Sequence, residues 1–236
     1  MNNVFKDFRF IKRKLRFIIN KLFYKDYTSN KNKLGKLNSI LDDVKKHGIS
    51  KCENFVEKNL LNTLILEFEK IVSKKEITDR NQVQLDPQDG LDSPIYKNFF
   101  YNNEIFDLLG KNYLMTNNFD KSAGGKRIFP MKPKEFANYQ WHHDGEYRCF
   151  KIFILLNDLD DVGQKMEYLK GSHKLYNTSF NKIFKNDDQL LDNYEKISLI
   201  GKKGTCYFFD GNGLHRGNRN QSYTRDILAI TYRYLD

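Results

Sequence analysis

The chain has 236 residues, enough for one domain with a sizeable core. Its 39% hydrophobic and 30% charged residues are ordinary for a soluble globular protein, and no run of 18 apolar residues occurs, which excludes a chain built of membrane spans. Net charge is +10, but eight basic residues against one acid between Met1 and Lys25 carry +7 of it, so a uniformly basic body is excluded too.

In chain order, the first element is a basic amphipathic segment, taken as residues 1–26. Phe8, Ile11, Leu15, Ile18, Ile19 and Leu22 recur at helical spacing on one face, with Lys and Arg around the other. This pattern fits a helix docked on the body with a solvated basic face, or a helix lying on a membrane surface; nucleic acid is the weaker partner. The rest, 27–236, reads as one domain, helical over 27–120 and β over 121–236. Between Tyr27 and about Lys75, Leu60, Leu61, Leu64, Ile65 and Phe68 form a helical stripe expected to be buried. Asn81 to Pro94 holds two Pro-containing turns and a Gly and is predicted as a loop. A short helix follows, with Ile105, Phe106, Leu108 and Leu109 turned inwards.

Beyond Lys121 the character changes to strands, predicted over 136–143, 150–156, 205–209 and 225–234 from their aromatic and β-branched content. The run Cys-Phe-Lys-Ile-Phe-Ile-Leu-Leu (149–156) is almost wholly apolar, as a strand covered on both faces requires. Helices followed by many strands predict an α+β chain with a sandwich or barrel in its C-terminal half. The polar stretch 177–196 reads as an insert. Cys52, Cys149 and Cys206 are few, odd in number and widely spaced, which points to a reducing, cytoplasmic setting and away from disulfides or zinc thiolates. The N-terminus lacks the uninterrupted apolar run of a secretory signal.

The chemistry concentrates in Gln140-Trp141-His142-His143-Asp144. On a strand, His142 and Asp144 point to one side and His143 to the other. An imidazole beside a carboxylate supplies two ligands to a first-row metal, and a second His completes a facial triad with open positions for co-substrate and O₂. The triplet alone is common, so the third ligand decides. Among His47, His173 and His215, the last follows a strand and a Gly-Asn-Gly turn able to aim it back into a barrel. His47 lies in the polar helical region and His173 in a turn. Arg225 stands ten residues after His215 at the start of a strand. It can suit a buried carboxylate partner, but on its own the local signal reads first as a surface strand-edge residue paired with Asp226. The face Arg225, Ile227, Ala229 and Thr231 would line the barrel interior. Lys151, heading an apolar strand, either snorkels to solvent or meets a substrate or co-substrate carboxylate. Trp141, Tyr139 and His143 read as packing residues.

Four stretches, Tyr139-Gln-Trp-His-His-Asp, Lys151-Ile-Phe-Ile-Leu-Leu-Asn-Asp, Glu167-Tyr-Leu-Lys-Gly-Ser-His-Lys and Gly204-Thr-Cys-Tyr-Phe-Phe-Asp-Gly-Asn-Gly-Leu-His-Arg-Gly, together resemble the phytanoyl-CoA dioxygenase family over roughly 136–232. The resemblance implies a double-stranded β-helix (jelly-roll, cupin-like) core with the N-terminal helices packed outside it. It also implies Fe(II) on His142, Asp144 and His215, with 2-oxoglutarate held by Arg225 and O₂ as oxidant. The implied reaction is oxidative decarboxylation of 2-oxoglutarate to succinate and CO₂ with attack on a substrate C–H bond. A carboxylate ligand leaves no position for halide, which favours hydroxylation over halogenation. The chain departs from the family at Gly163-Gln164-Lys165-Met166, where Gly-Pro is usual. Its substrate is expected to be a small molecule, selected by loop 81–94 and insert 177–196. The rival expectations are a catalytically silent ligand-binding jelly roll and a membrane-associated adaptor acting through residues 1–25.

Overall fold

The computed structural model describes residues 2–23, 34–131, 140–144, 147–175, 189–218 and 222–235. Helix α1 (Asn2–Phe23) is followed by α2 (Asn38–His47), strand β1 (Ile49–Cys52), α3 (Lys58–Val72), β2 (Gln82–Leu85), α4 (Pro87–Asp92) and α5 (Glu104–Leu114). Then come β3 (Phe119–Ile128), β4 (Phe150–Leu155), β5 (Met166–Leu169), β6 (Lys196–Leu199), β7 (Cys206–Asp210), β8 (His215–Gly217) and β9 (Arg225–Tyr234).

The strands form a six-stranded sheet in the order β1-β7-β4-β9-β3-β2 and a three-stranded sheet in the order β6-β5-β8. Each pairing is antiparallel. The large sheet is covered on both faces. On one, Phe150, Ile152, Ile154, Phe208, Leu228 and Ile230 pack with Leu61, Leu64, Phe68, Phe106 and Leu109 of α3 and α5. On the other, Leu155, Phe209 and Ile227 meet Met166, Tyr168 and Leu199 of the small sheet. This double burial is why β4 and β7 are apolar without alternation.

The predicted strands 150–156, 205–209 and 225–234 correspond to β4, β7 and β9. The expected loop 81–94 instead holds β2 and α4: Asp86 and Asp89 form a reciprocal capping box, and Pro87 starts the helix where its missing N–H costs nothing. Two strands, β1 and β2, thus come from the stretch expected to be helical, and His47, the last residue of α2, lies two residues before the start of β1. Strand β3 pairs along its whole length with β9, Phe119 opposite Tyr234 and Ile128 opposite Arg225. Its Gly124 allows the backbone of β2 to approach; a Cβ there would stand 2.4 Å from the Leu85 carbonyl oxygen.

The expected stripe is buried at Leu61, Leu64 and Phe68, but Leu60 is 40% exposed. On α5, Phe106 and Leu109 turn inwards while Ile105 is 47% exposed. Helix α1 reverses the expected docking. Arg13 is buried, Phe17 packs edge-on against Tyr147 at 5.9 Å, and the Arg148 guanidinium stacks over the Phe17 ring at 4.0 Å. Its aliphatic stripe faces away from the body. Residues 132–139, which include Tyr139 and the first half of the predicted strand 136–143, lie outside the described residues, as do 177–188 of the insert and the side chain of Phe8.

Candidate metal and co-substrate site

His142 and His215 sit opposite each other on an antiparallel bridge, each backbone N–H donating to the other's carbonyl at 3.1 and 2.9 Å. Two residues on, the Asp144 N–H donates to the Gly211 carbonyl at 3.0 Å. His142 is therefore placed by a single bridge and not by a strand, yet the expected facing holds: His142 and Asp144 line one cavity, and His143 is buried outside its lining. Gly211 is required beneath them, since a Cβ would come within 2.5 Å of an Asp144 carboxylate oxygen.

One ligand atom from each of His142, Asp144 and His215 lies within 4.8 Å of the others. His142 Nδ1 is 2.8 Å from the Gln140 carbonyl oxygen, and His215 Nδ1 is 2.8 Å from that of Gly213. A carbonyl oxygen only accepts, so Nδ1 carries a proton in both rings and Nε2 is the atom each ring can offer a metal. Burial pushes His215 down to about 4, which keeps the ring neutral at physiological pH. Burial alone would raise the Asp144 carboxyl. The Lys151 ammonium, in contact with Oδ2, together with His215 and His142, outweighs it and holds the group well below the usual carboxylate range. Oδ1 lies 3.7 Å from His215 Nε2. Two imidazoles tied down at Nδ1, beside an ionised carboxylate, are a donor set that fits a divalent first-row metal.

The cavity lies between the two sheets and has a volume of about 570 Å³. Arg225, Ile227, Ala229 and Thr231 of β9 all line it, as the alternation predicted. Arg225 is 9% exposed, and Asp226 faces the opposite side, where it accepts from Arg127 at 2.9 and 2.7 Å. The strand-edge pairing of Arg225 with Asp226 is thereby replaced. Lys151 also lines the cavity, with its ammonium on Asp144. His173 is elsewhere, its Nε2 3.1 Å from the Lys45 carbonyl oxygen.

Sequence reasoning missed Asp210, whose carboxylate is buried under the turn that carries His215. It accepts from the Tyr113 hydroxyl at 2.5 Å, the Cys149 N–H at 3.1 Å and the Asn212 N–H at 2.9 Å. Its backbone carbonyl accepts from the Tyr168 hydroxyl at 3.1 Å. The only signal was an acid at the end of an apolar strand. Asp210→Ala strands three buried donors and is expected to lower unfolding free energy by about 3 kcal/mol, measured by urea denaturation; a loss below about 0.5 kcal/mol would remove it from this role.

No protein-family profile and no curated protein matches the chain. Solved structures do. The epimerase SnoN, in complex with Fe3+, alpha-ketoglutarate and nogalamycin RO, aligns with TM-score 0.67 and 14% identity over 85% of this chain and 84% of SnoN. The non-heme alpha-ketoglutarate-dependent carbocyclase SnoK from nogalamycin biosynthesis aligns with TM-score 0.62 and 14% identity, over 84% of each chain. EctD from S. alaskensis, holding 2-oxoglutarate and 5-hydroxyectoine, gives 0.64 and 14% over 82% of this chain and 74% of EctD. At such identities the likeness is one of fold, and that fold is the jelly roll of an α+β chain that the sequence predicted.

Proposed function

We propose that the protein is an Fe(II)- and 2-oxoglutarate-dependent dioxygenase of phytanoyl-CoA dioxygenase type that hydroxylates a C–H bond of a small molecule. The observation that carries the reading is the convergence of His142, Asp144 and His215, with both Nδ1 atoms tied to carbonyls, on the wall of a cavity that also holds Arg225. The fold likeness to iron- and 2-oxoglutarate-dependent enzymes supports it.

In this reading His142, Asp144 and His215 hold iron and Arg225 receives the distal carboxylate of 2-oxoglutarate through its planar fork. When bound, iron and 2-oxoglutarate supply the oxidising power: O₂ and 2-oxoglutarate are consumed, one oxygen atom ends in succinate, the other in the substrate, and CO₂ leaves. The chain's own residues orient and shield. Lys151 engages Oδ2 of Asp144 and fixes the carboxylate plane, while Phe153, Ile227 and Ala229 keep apolar walls around the reacting space. Succinate release on adding Fe(II), 2-oxoglutarate and O₂ tests the reading, with a screen for a metabolite that gains one oxygen. Fe(II)-independent binding with no succinate would favour a silent ligand-binding jelly roll.

A membrane contact through residues 1–25 is proposed on a separate observation. Ile11, Leu15, Ile18, Ile19 and Leu22 are 47–75% exposed on α1, while Arg13 and Phe17 on the opposite side hold the helix to the body. Exposed Lys12 flanks the stripe on one side and exposed Lys14 and Lys21 on the other. An aliphatic stripe rimmed by lysines complements an anionic lipid surface, each cation adding about 1 kcal/mol near it. Among the described residues no helix is long and apolar enough to cross a membrane, so this contact is peripheral. The protein is expected to co-sediment with phosphatidylglycerol-containing vesicles and not with pure phosphatidylcholine. The Leu15→Asp/Ile18→Asp variant is expected to lose at least about tenfold in affinity with succinate release intact. Equal sedimentation of wild type and variant would end the proposal.

A further inference from the structure

The cavity that holds the candidate metal site is far more cationic than iron and 2-oxoglutarate require. Arg80, Lys126, Lys151 and Arg225 line it, and Asp144 is the one acid lining it among the described residues. With the proposed ligands bound, the two charges of the metal and that of Arg225 are balanced by Asp144 and the two carboxylates of 2-oxoglutarate. Of the other cations, Lys151 touches Asp144, and the charge of Lys126 is left over.

Lys126 is the informative member. It stands on β3 opposite Ile227 of β9 and Gln84 of β2, one row along the sheet from Arg225, which pairs with Ile128. Opposed residues share a face, so the Lys126 side chain enters the cavity beside Ile227. Lys151 has Asp144, and Lys121 on the same strand has Asp107 at 2.6 Å. The Lys126 side chain makes no ion pair or hydrogen bond among the described residues, although it is partly buried. Burial lowers its pKa, and the nearby cations Lys151, Arg225 and Arg80 lower it further. Asp144 is its attractive charge, and that carboxylate already touches Lys151, so holding a lysine there costs stability that an anion entering from solution offsets.

We propose that Lys126, with Arg80 at the cavity rim, receives an anionic group of the substrate, a carboxylate or a tetrahedral oxyanion. This rests on the dioxygenase reading and names the substrate class of the same cavity. Gln82 and Gln84, which line the cavity from β2, add amide donors suited to the same oxygens.

The test uses Mn(II)-loaded protein, with and without saturating 2-oxoglutarate, and calorimetric titration with sulfate and with acetate as probes. At least one probe is expected to bind the 2-oxoglutarate-saturated protein, and the preferred probe distinguishes oxyanion from carboxylate. Lys126→Met is expected to weaken that probe at least tenfold while leaving 2-oxoglutarate affinity within about twofold. Lys126→Arg is expected to restore probe binding, which separates lost charge from a damaged fold. The proposal is overturned if neither probe binds, if Lys126→Met leaves probe binding unchanged, or if it weakens 2-oxoglutarate as much as Arg225→Met does. If 2-oxoglutarate fails to bind the wild type at all, the dioxygenase reading fails, and the Lys126 dependence of probe binding in its absence still decides this one.

Discussion

Asp144→Ala is expected to abolish succinate release and to weaken Fe(II) binding at least about a hundredfold, more than loss of a supporting group around a metal costs. The variant removes the one anionic donor and leaves two imidazoles, a poor site for a hard divalent ion. It also strips Lys151 of its partner, in a place where the two side chains are 17% and 26% exposed. That second effect is expected to cost about 2 kcal/mol of stability, reduced from the fully buried case by partial solvation. Lys151→Met added to Asp144→Ala is expected to return much of the stability and none of the iron binding, so the pair separates ligation from folding. Full succinate production by Asp144→Ala would sink the ligand assignment.

Arg225→Met is expected to raise the KM for 2-oxoglutarate roughly a hundredfold, which corresponds to about 3 kcal/mol for a bidentate charged contact in a buried place. Fe(II) affinity stays near that of the wild type, because Arg225 is not among the grouped metal-ligating side chains. Arg225→Lys recovers only part, since an ammonium cannot form the planar two-bond fork. Steady-state kinetics at varied 2-oxoglutarate, beside an equilibrium iron titration, reads both outcomes. A KM that does not move, or one that moves only with lost iron binding, would assign the co-substrate carboxylate elsewhere.

Much of the candidate site was legible in the sequence because alternation and turn chemistry are local. Two positions apart on an extended backbone put His142 and Asp144 on one wall, and the face from Arg225 to Thr231 followed from the same rule. Less of the fold was legible. Strand β3 reads Phe-Asp-Lys-Ser-Ala-Gly-Gly-Lys-Arg-Ile, with almost no β-forming residues, and it is held by partners on both sides that no local pattern reveals. Strand β2 looked like loop because its inward residues, Gln82 and Gln84, serve the cavity. Strand β8 is three residues long, too short for any periodicity. Lys126 was hidden with its strand, and Asp210 because a buried acid is recognised only by the donors that surround it. The outward stripe of α1 was legible as a stripe, but its direction depends on Arg13 and Phe17, which carry no apolar pattern of their own.

The backbone bridge between His142 and His215 has a consequence for how the chain folds. These residues are separated by 215 − 142 = 73 positions, and their two reciprocal hydrogen bonds close that loop. An unfolded chain holds the two imidazoles far apart, so an ion has affinity for the finished bridge and little for anything earlier. Under the proposed ligation, metal would act as a late clasp, drawing the population toward chains in which β8 has already met its partner. At a hundred times its dissociation constant it adds about 2.7 kcal/mol to that closed form. Iron supply would therefore set the abundance of the folded protein as well as its rate of turnover.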